Sequence, residues 1–290
     1  MKKILGSLSL VALVLLIASC SAGKSLSPPF YETEESVKTL QHIEEFGHST
    51  TQIDGKPLHL VHTGSKTSPP ILFVHGSPGD WEAWAQYLSD PDLRAKSFMM
   101  AVDRPGYGGS NDGTNAHSLA TQSAYIMQAV REQIPGQQKI IIIGHSYGGP
   151  VALRMAADYP DQVASTILLA PAIAPDLVNV RWYNRLAKLW LVKAILPTAV
   201  HHSNQEMLPL KGELLTLYPD LPNITAPTSV IQGDKDWIVL PGNADFAETE
   251  LPNAPVETKI LPKSGHFIPW KNYDLVKKTL LERLESYSDR

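Results

Sequence analysis

Three apolar runs constrain this chain more than any other feature: "PPILFVHG" ending at Gly76, "SFMMAVDRPG" ending at Gly106 and "KIIIIGHS" ending at Ser146. Strands that are apolar without alternation must be covered on both faces, which is the condition of a parallel sheet in an α/β fold. Each run leads into a polar loop and then a stretch with helical spacing. In "HSLATQSAYIMQAVREQI" the apolar positions Leu119, Ala120, Ala124, Ile126, Met127 and Val130 predict one such helix. "VASTILLAP", "PTSVIQGD" and "PVETKILP" continue the series to a last helix, "NYDLVKKTLLERLESYS". Upstream, Asp54-Gly55 between "STTQI" and "KPLHLVHTG" is a two-residue hairpin signal, so the domain is expected to open on an antiparallel pair. The fold class is α/β, a mostly parallel sheet with helices on both faces.

A chain of 290 residues that is 43% hydrophobic and 19% charged can bury one large core. One main domain is expected over 32–290. Between Pro171 and Thr228 there is no strand signal, which places an insertion at about 172–225. Within it "VRWYNRLAKLWLVKAILP" sets Trp182, Leu186, Leu189, Trp190 and Leu196 at helical spacing. Such a helix packs on the domain and can serve as a short lid.

"GHSYGG", Gly144 to Gly149, follows the run "IIII" and precedes "PVALRMAADYP". A G-x-S-x-G frame alone occurs by chance; at a sharp strand-turn-helix it raises a serine hydroxyl above the carboxyl edge of a parallel sheet, where ligands bind. Gly144, Gly148 and Gly149 give the room such a turn needs, and the following helix N-terminus favours an anion beside Ser146. A serine nucleophile needs a base, and the base needs an acid to hold its tautomer. Of ten histidines, His266 in "KSGHFIPW" follows the last strand and can return over that edge. His145 is expected to project away from the tight turn, His75 to make a structural hydrogen bond, and His201 and His202 to lie on a solvated face. The acid should end "TSVIQG", which offers Asp234 and Asp236. Asp234 suits the turn itself. Asp236 lies one step deeper, before the apolar "WIV", and is the expected catalytic acid.

An oxyanion hole needs two converging backbone N–H groups. Tyr147, after the nucleophile, supplies one. The second should come from "HGSPGDW"; Pro78 has no N–H and holds Ser77 extended, leaving the Ser77 amide. Trp81, Trp84 and Trp237 fit an apolar pocket or the core equally well.

Taken in order, "HGSPG", "DRPGYGGS", "GHSYGG", "GDKD" and "SGHF" resemble the α/β-hydrolase family from about Gln52 onward. The resemblance implies a Ser-Asp-His triad of Ser146, Asp236 and His266, and makes Asp103 and Arg104 structural residues of a loop. It implies hydrolysis of an ester or similar small-molecule carbonyl substrate, with no metal or cofactor. Aminopeptidase, carbon-carbon bond hydrolase and acyltransferase activities share this fold, as would a ligand-binding protein without turnover. Family members that open epoxides or displace halide carry an aspartate in the elbow, where this chain has Ser146.

At the other end, "MKKILGSLSLVALVLLIASC" runs from two lysines through an apolar stretch to small residues, the layout of an export signal. Leu8 to Ala18 is shorter than the about 20 apolar residues of a membrane span. Ile17-Ala18-Ser19-Cys20 resembles the lipobox of bacterial lipoproteins. The expectation is a signal peptide over 1–19, lipid attached at Cys20, and a Ser/Pro-rich tether over 20–31. The partner is then a membrane, through the anchor, and the location the bacterial cell envelope, facing the periplasm in a Gram-negative cell. The single cysteine leaves no internal disulfide. Losing Lys2 and Lys3 moves the net charge from −4 to −6, which speaks against nucleic acid as a partner.

Overall fold

The structure, a computed structural model, describes residues 33–114, 116–178 and 198–288. Expectations for Cys20, for the signal and tether, and for the helix at 180–197 lie outside these residues.

Eight strands form one sheet: β1 (Gly47–Ile53), β2 (Lys56–Thr63), β3 (Pro70–Val74), β4 (Phe98–Val102), β5 (Ile140–His145), β6 (Val163–Leu169), β7 (Thr228–Gly233) and β8 (Val256–Leu261). Their order is β1-β2-β4-β3-β5-β6-β7-β8. β1 and β2 pair antiparallel, as do β2 and β4, and every later pairing is parallel. The Asp54-Gly55 turn has positive φ at both residues, 51° and 74°, the form that matches strand twist in a two-residue hairpin.

Among the described residues seven helices are eight residues or longer: α1 (Thr33–Leu40), α2 (Leu119–Gln133), α3 (Gly148–Asp158), α4 (Thr198–Met207), α5 (Leu210–Leu217), α6 (Gly242–Glu250) and α7 (Tyr273–Ser288). α1 precedes the hairpin, so the described domain does not open on the antiparallel pair. It is short and polar, and Leu40 is its fully buried anchor. Alternate residues of the central strands feed opposite faces. Leu72 and Val74 join the cluster under α2, α3, α5 and α6, while Ile71 and Phe73 join the cluster under α7. This two-sided burial is why the strands read as continuous apolar runs.

On α2 the buried face is rotated from the expected one. Ala120 and Ala124 are exposed, and Gln122 and Ser123 are buried. Each polar side chain has a partner below: Gln122 bonds Arg104 and Glu206, and Ser123 Oγ donates to Asp158 at 2.7 Å. Trp84 lies in the core against Phe73 and Tyr87, and Trp81 stacks on Phe46 and His48. Trp237 is largely exposed.

The close fit of α3 to the sheet is testable. A Cβ on Gly148 would stand 2.2 Å from the Val74 carbonyl oxygen, against backbone that cannot yield. Gly148→Ala is expected to destabilise by roughly 1–3 kcal/mol, seen as a fall in Tm of several degrees by thermal melting. An unchanged Tm would contradict the packing described.

Candidate active site

Ser146 sits at the turn from β5 into α3 with φ +54°, a conformation that non-glycine residues rarely adopt. Backbone bonds hold it there. Its N–H donates to the Leu169 carbonyl at 3.0 Å, and its own carbonyl accepts from Gly149 at 3.0 Å and Ala172 at 3.2 Å. The turn closes only because its neighbours lack Cβ atoms. A Cβ on Gly144 would lie 2.4 Å from the Gly148 carbonyl oxygen, and one on Gly149 2.5 Å from Pro171 Cβ. Strain of this kind costs about 1–3 kcal/mol and persists only where the surroundings over-determine it. Ser146 itself is half-buried.

His266 follows β8, and Asp236 follows β7. His266 Nδ1 donates to Asp236 Oδ2 at 2.7 Å, with both side chains almost wholly removed from solvent. A carboxylate only accepts, so in the neutral imidazole the proton lies on Nδ1 and Nε2 carries the lone pair. Asp236 Oδ1 accepts from the Ile238 and Val239 N–H groups, each at 2.9 Å, and Oδ2 also accepts from Gln232 Nε2 at 3.2 Å. Burial alone would raise the Asp236 carboxyl; the His266 bond and charge, with the two backbone N–H groups, outweigh it and hold the group below its ordinary value. Ser146 Oγ makes no hydrogen bond among the described residues. Such contacts in ligand-free enzymes are often long and tighten with substrate.

Asp234 does not form the side-chain turn expected of it. Its carboxylate pairs with Lys235 at 3.3 Å, an exposed contact of little energetic weight.

His145 is a prop beneath the site and does not project away from it. Its Nε2 donates to the His266 carbonyl at 3.1 Å, and its ring lies 4.8 Å from that of His266 and 5.3 Å from that of Trp270. Burial, with the neighbouring His266, lowers it to about 3, so it stays neutral. His75 is structural, as expected: Nδ1 donates to the Gly76 carbonyl at 2.7 Å and Nε2 accepts from the Arg104 N–H at 3.0 Å. His202 is buried, bonding the Gly106 carbonyl at 2.7 Å, and does not lie on a solvated face.

The two amides expected to form the oxyanion hole, those of Ser77 and Tyr147, donate no hydrogen bond among the described residues. Gly76 brings the Ser77 loop against the elbow: a Cβ there would be 3.1 Å from Ser146 Cβ. The Ser77 hydroxyl points elsewhere and donates to Glu206 Oε2 at 2.6 Å. Glu206, on α4, is not among the expected site residues. It is fully buried and also accepts from Arg104, Tyr107 and Gln122. A buried arginine requires a counter-charge, and the search for one is the signal that leads to it. Asp103 ties the same loop through His59, the Trp81 N–H and the Gly109 N–H. No cluster of metal-ligating side chains is found among the described residues.

The geometry separates the two acids. Asp236→Asn is expected to leave the imidazole in the wrong tautomer and lower turnover by about 10⁴, the cost of the same change in the chymotrypsin-type triad. Asp234→Asn is expected to change stability by less than about 1 kcal/mol with turnover retained. Paired measurements of turnover and Tm decide it, and a dead Asp234→Asn beside an active Asp236→Asn would reverse the assignment.

Residues 69–192 match the alpha/beta hydrolase fold family model. The acetyltransferase component of the acetoin cleaving system of Cupriavidus necator is 35% identical over 127 residues, 44% of this chain and 33% of that protein. Epoxide hydrolase 1 of Caenorhabditis elegans is 32% identical over 112 residues, 38% of this chain and 27% of its own length. The chain therefore covers a third or less of the length of these two curated relatives. Among solved structures, a membrane phospholipase A described as a bacterial virulence factor superposes with a TM-score of 0.66 at 20% identity, each chain covered in full. By its sheet, by the sequence of residues 69–192 and by its structural neighbours, the chain has the alpha/beta hydrolase fold.

Proposed function

We propose that the chain is a serine hydrolase that cleaves an ester or similar carbonyl substrate through an acyl-enzyme. The observation that carries this reading is a buried His266–Asp236 couple at 2.7 Å whose His266 carbonyl is bonded by His145, the residue before the strained Ser146 on the β5–α3 turn. His266 Nε2 takes the Ser146 Oγ proton as Oγ attacks the carbonyl carbon. The developing oxyanion is held by the Ser77 and Tyr147 N–H groups. The imidazolium, its charge matched by Asp236, returns the proton to the leaving alcohol, which departs and leaves the acyl group on Ser146. Water, deprotonated by the same nitrogen, releases the acid by the reverse sequence.

Similarity to an epoxide hydrolase does not favour epoxide opening here, because the elbow residue is Ser146 and the family's epoxide-opening members use an aspartate there. The N-terminal proposal, a lipid anchor at Cys20 placing the enzyme in a bacterial cell envelope, rests on the order of charge, apolar run, small residues and cysteine in the sequence. Several acyl chains, at about 0.8 kcal/mol per buried methylene, make a stable anchor where one is marginal.

Ser146→Ala and His266→Ala are each expected to lower ester hydrolysis by about 10⁴ or more, and the double variant to be little worse than either, since the two act as one unit. Steady-state kinetics check this; near-wild-type turnover by Ser146→Ala would sink the reading. Mass spectrometry of the mature N-terminus tests the anchor. Lipid on Cys20, absent in Cys20→Ser, is expected, and an unmodified cysteine or cleavage elsewhere would contradict it.

A further inference from the structure

The Arg104 guanidinium is wholly buried and all five of its N–H groups are used. Nε donates to the His75 carbonyl at 3.0 Å and Nη2 to the Gly76 carbonyl at 2.9 Å. Nη1 reaches Gln122 Oε1 at 2.9 Å and Glu206 Oε1 at 2.5 Å, and Nη2 reaches Glu206 Oε2 at 3.1 Å. Its Cζ lies over the rings of Tyr107 and Tyr147, at 4.9 and 4.8 Å. Burial alone would weaken the charge, but the Glu206 carboxylate more than offsets it, so Arg104 remains a cation.

The Gly76 carbonyl belongs to the same peptide unit as the Ser77 N–H. In a trans peptide the C=O and N–H point in opposite directions, so whatever fixes one fixes the other. Next to a glycine such a unit can rotate at little steric cost. Here its oxygen is held twice, by Arg104 Nη2 and by His75 Nδ1 at 2.7 Å. Rotation would strip both donors of their acceptor at a site closed to water, which is heavily penalised.

We infer that Arg104 is the positioning residue of the oxyanion hole: by holding the Gly76 carbonyl it aims the Ser77 N–H at the substrate oxygen, and Glu206 is the counter-charge that keeps the guanidinium there. This rests on the reading of Ser146 as nucleophile and of the Ser77 amide as an oxyanion donor. Glu206 is delivered by α4, the first described helix after residue 197, and it also holds the Ser77 hydroxyl. A helix within the insertion thereby sets the direction of a backbone dipole beside the nucleophile.

The test compares p-nitrophenyl butyrate with its thionobutyrate counterpart, whose carbonyl sulfur is a poor hydrogen-bond acceptor. Wild type should favour the oxygen ester strongly. In Arg104→Lys, kcat for the oxygen ester should fall roughly 10²-fold with KM little changed, and the oxygen-to-sulfur rate ratio should collapse by about tenfold or more. Glu206→Gln, isosteric and the second variant should Arg104→Lys fail to fold, should move the ratio in the same direction. His266→Ala should slow both esters alike, leaving the ratio in place. Folded Arg104 and Glu206 variants that keep the wild-type ratio would overturn the inference alone, whatever their loss of rate. Undiminished turnover by Ser146→Ala, run in parallel, would instead bring down the reading on which it rests.

Discussion

The close approach of the β5–α3 turn to the loop after β3 is the constraint on which the rest of the site depends. Backbone packs directly on backbone there, with no side chain between Gly148 and the Val74 carbonyl and none between Gly76 and Ser146. Two consequences follow from this single contact. Ser146 is held in a left-handed conformation that its own energetics disfavour, and the loop that carries Ser77 is brought against the turn that carries Ser146 and Tyr147. Parallel strands that are buried on both faces supply the rigidity that such an arrangement needs.

Two buried ionic groups flank this turn, and they are built differently. Arg104 and Glu206 neutralise each other and satisfy every donor and acceptor they carry, so the pair is electrically closed. A buried pair of that kind contributes little net stability; what it provides is direction, because each hydrogen bond fixes one neighbour. Asp236 has no permanent cation beside it among the described residues. Its partners are backbone N–H groups, an amide and the His266 imidazole, and its negative charge stands ready to be matched when that imidazole gains a proton. The first arrangement suits a scaffold, and the second suits a group whose neighbour changes charge during a reaction.

The strands, the hairpin and the elbow were legible in the sequence because each is written locally, in apolar runs, in Asp54-Gly55 and in glycines around Ser146. Asp236 and His266 were legible because both stand just beyond strand ends. Glu206 was not. Its helix, "TAVHHSNQEM", carries no apolar period, and its partner Arg104 lies far away in sequence, so only the folded chain joins them. His202 is misplaced for the same reason: a polar side chain is assigned to the surface unless a buried partner is known, and its partner is the Gly106 carbonyl. Helix α1 was missed because eight mostly polar residues buried through Leu40 give too short a pattern to read.

The claim that holds the account together is that Ser146 carries the acyl group during turnover. Rapid acid quenching of the enzyme during hydrolysis of p-nitrophenyl butyrate, followed by proteolysis and mass spectrometry, tests it directly. A butyryl group on the peptide containing Ser146, formed and lost at rates that match turnover, is the result predicted here. An acyl group on another residue, or steady turnover with no covalent adduct at any quench time, would contradict it.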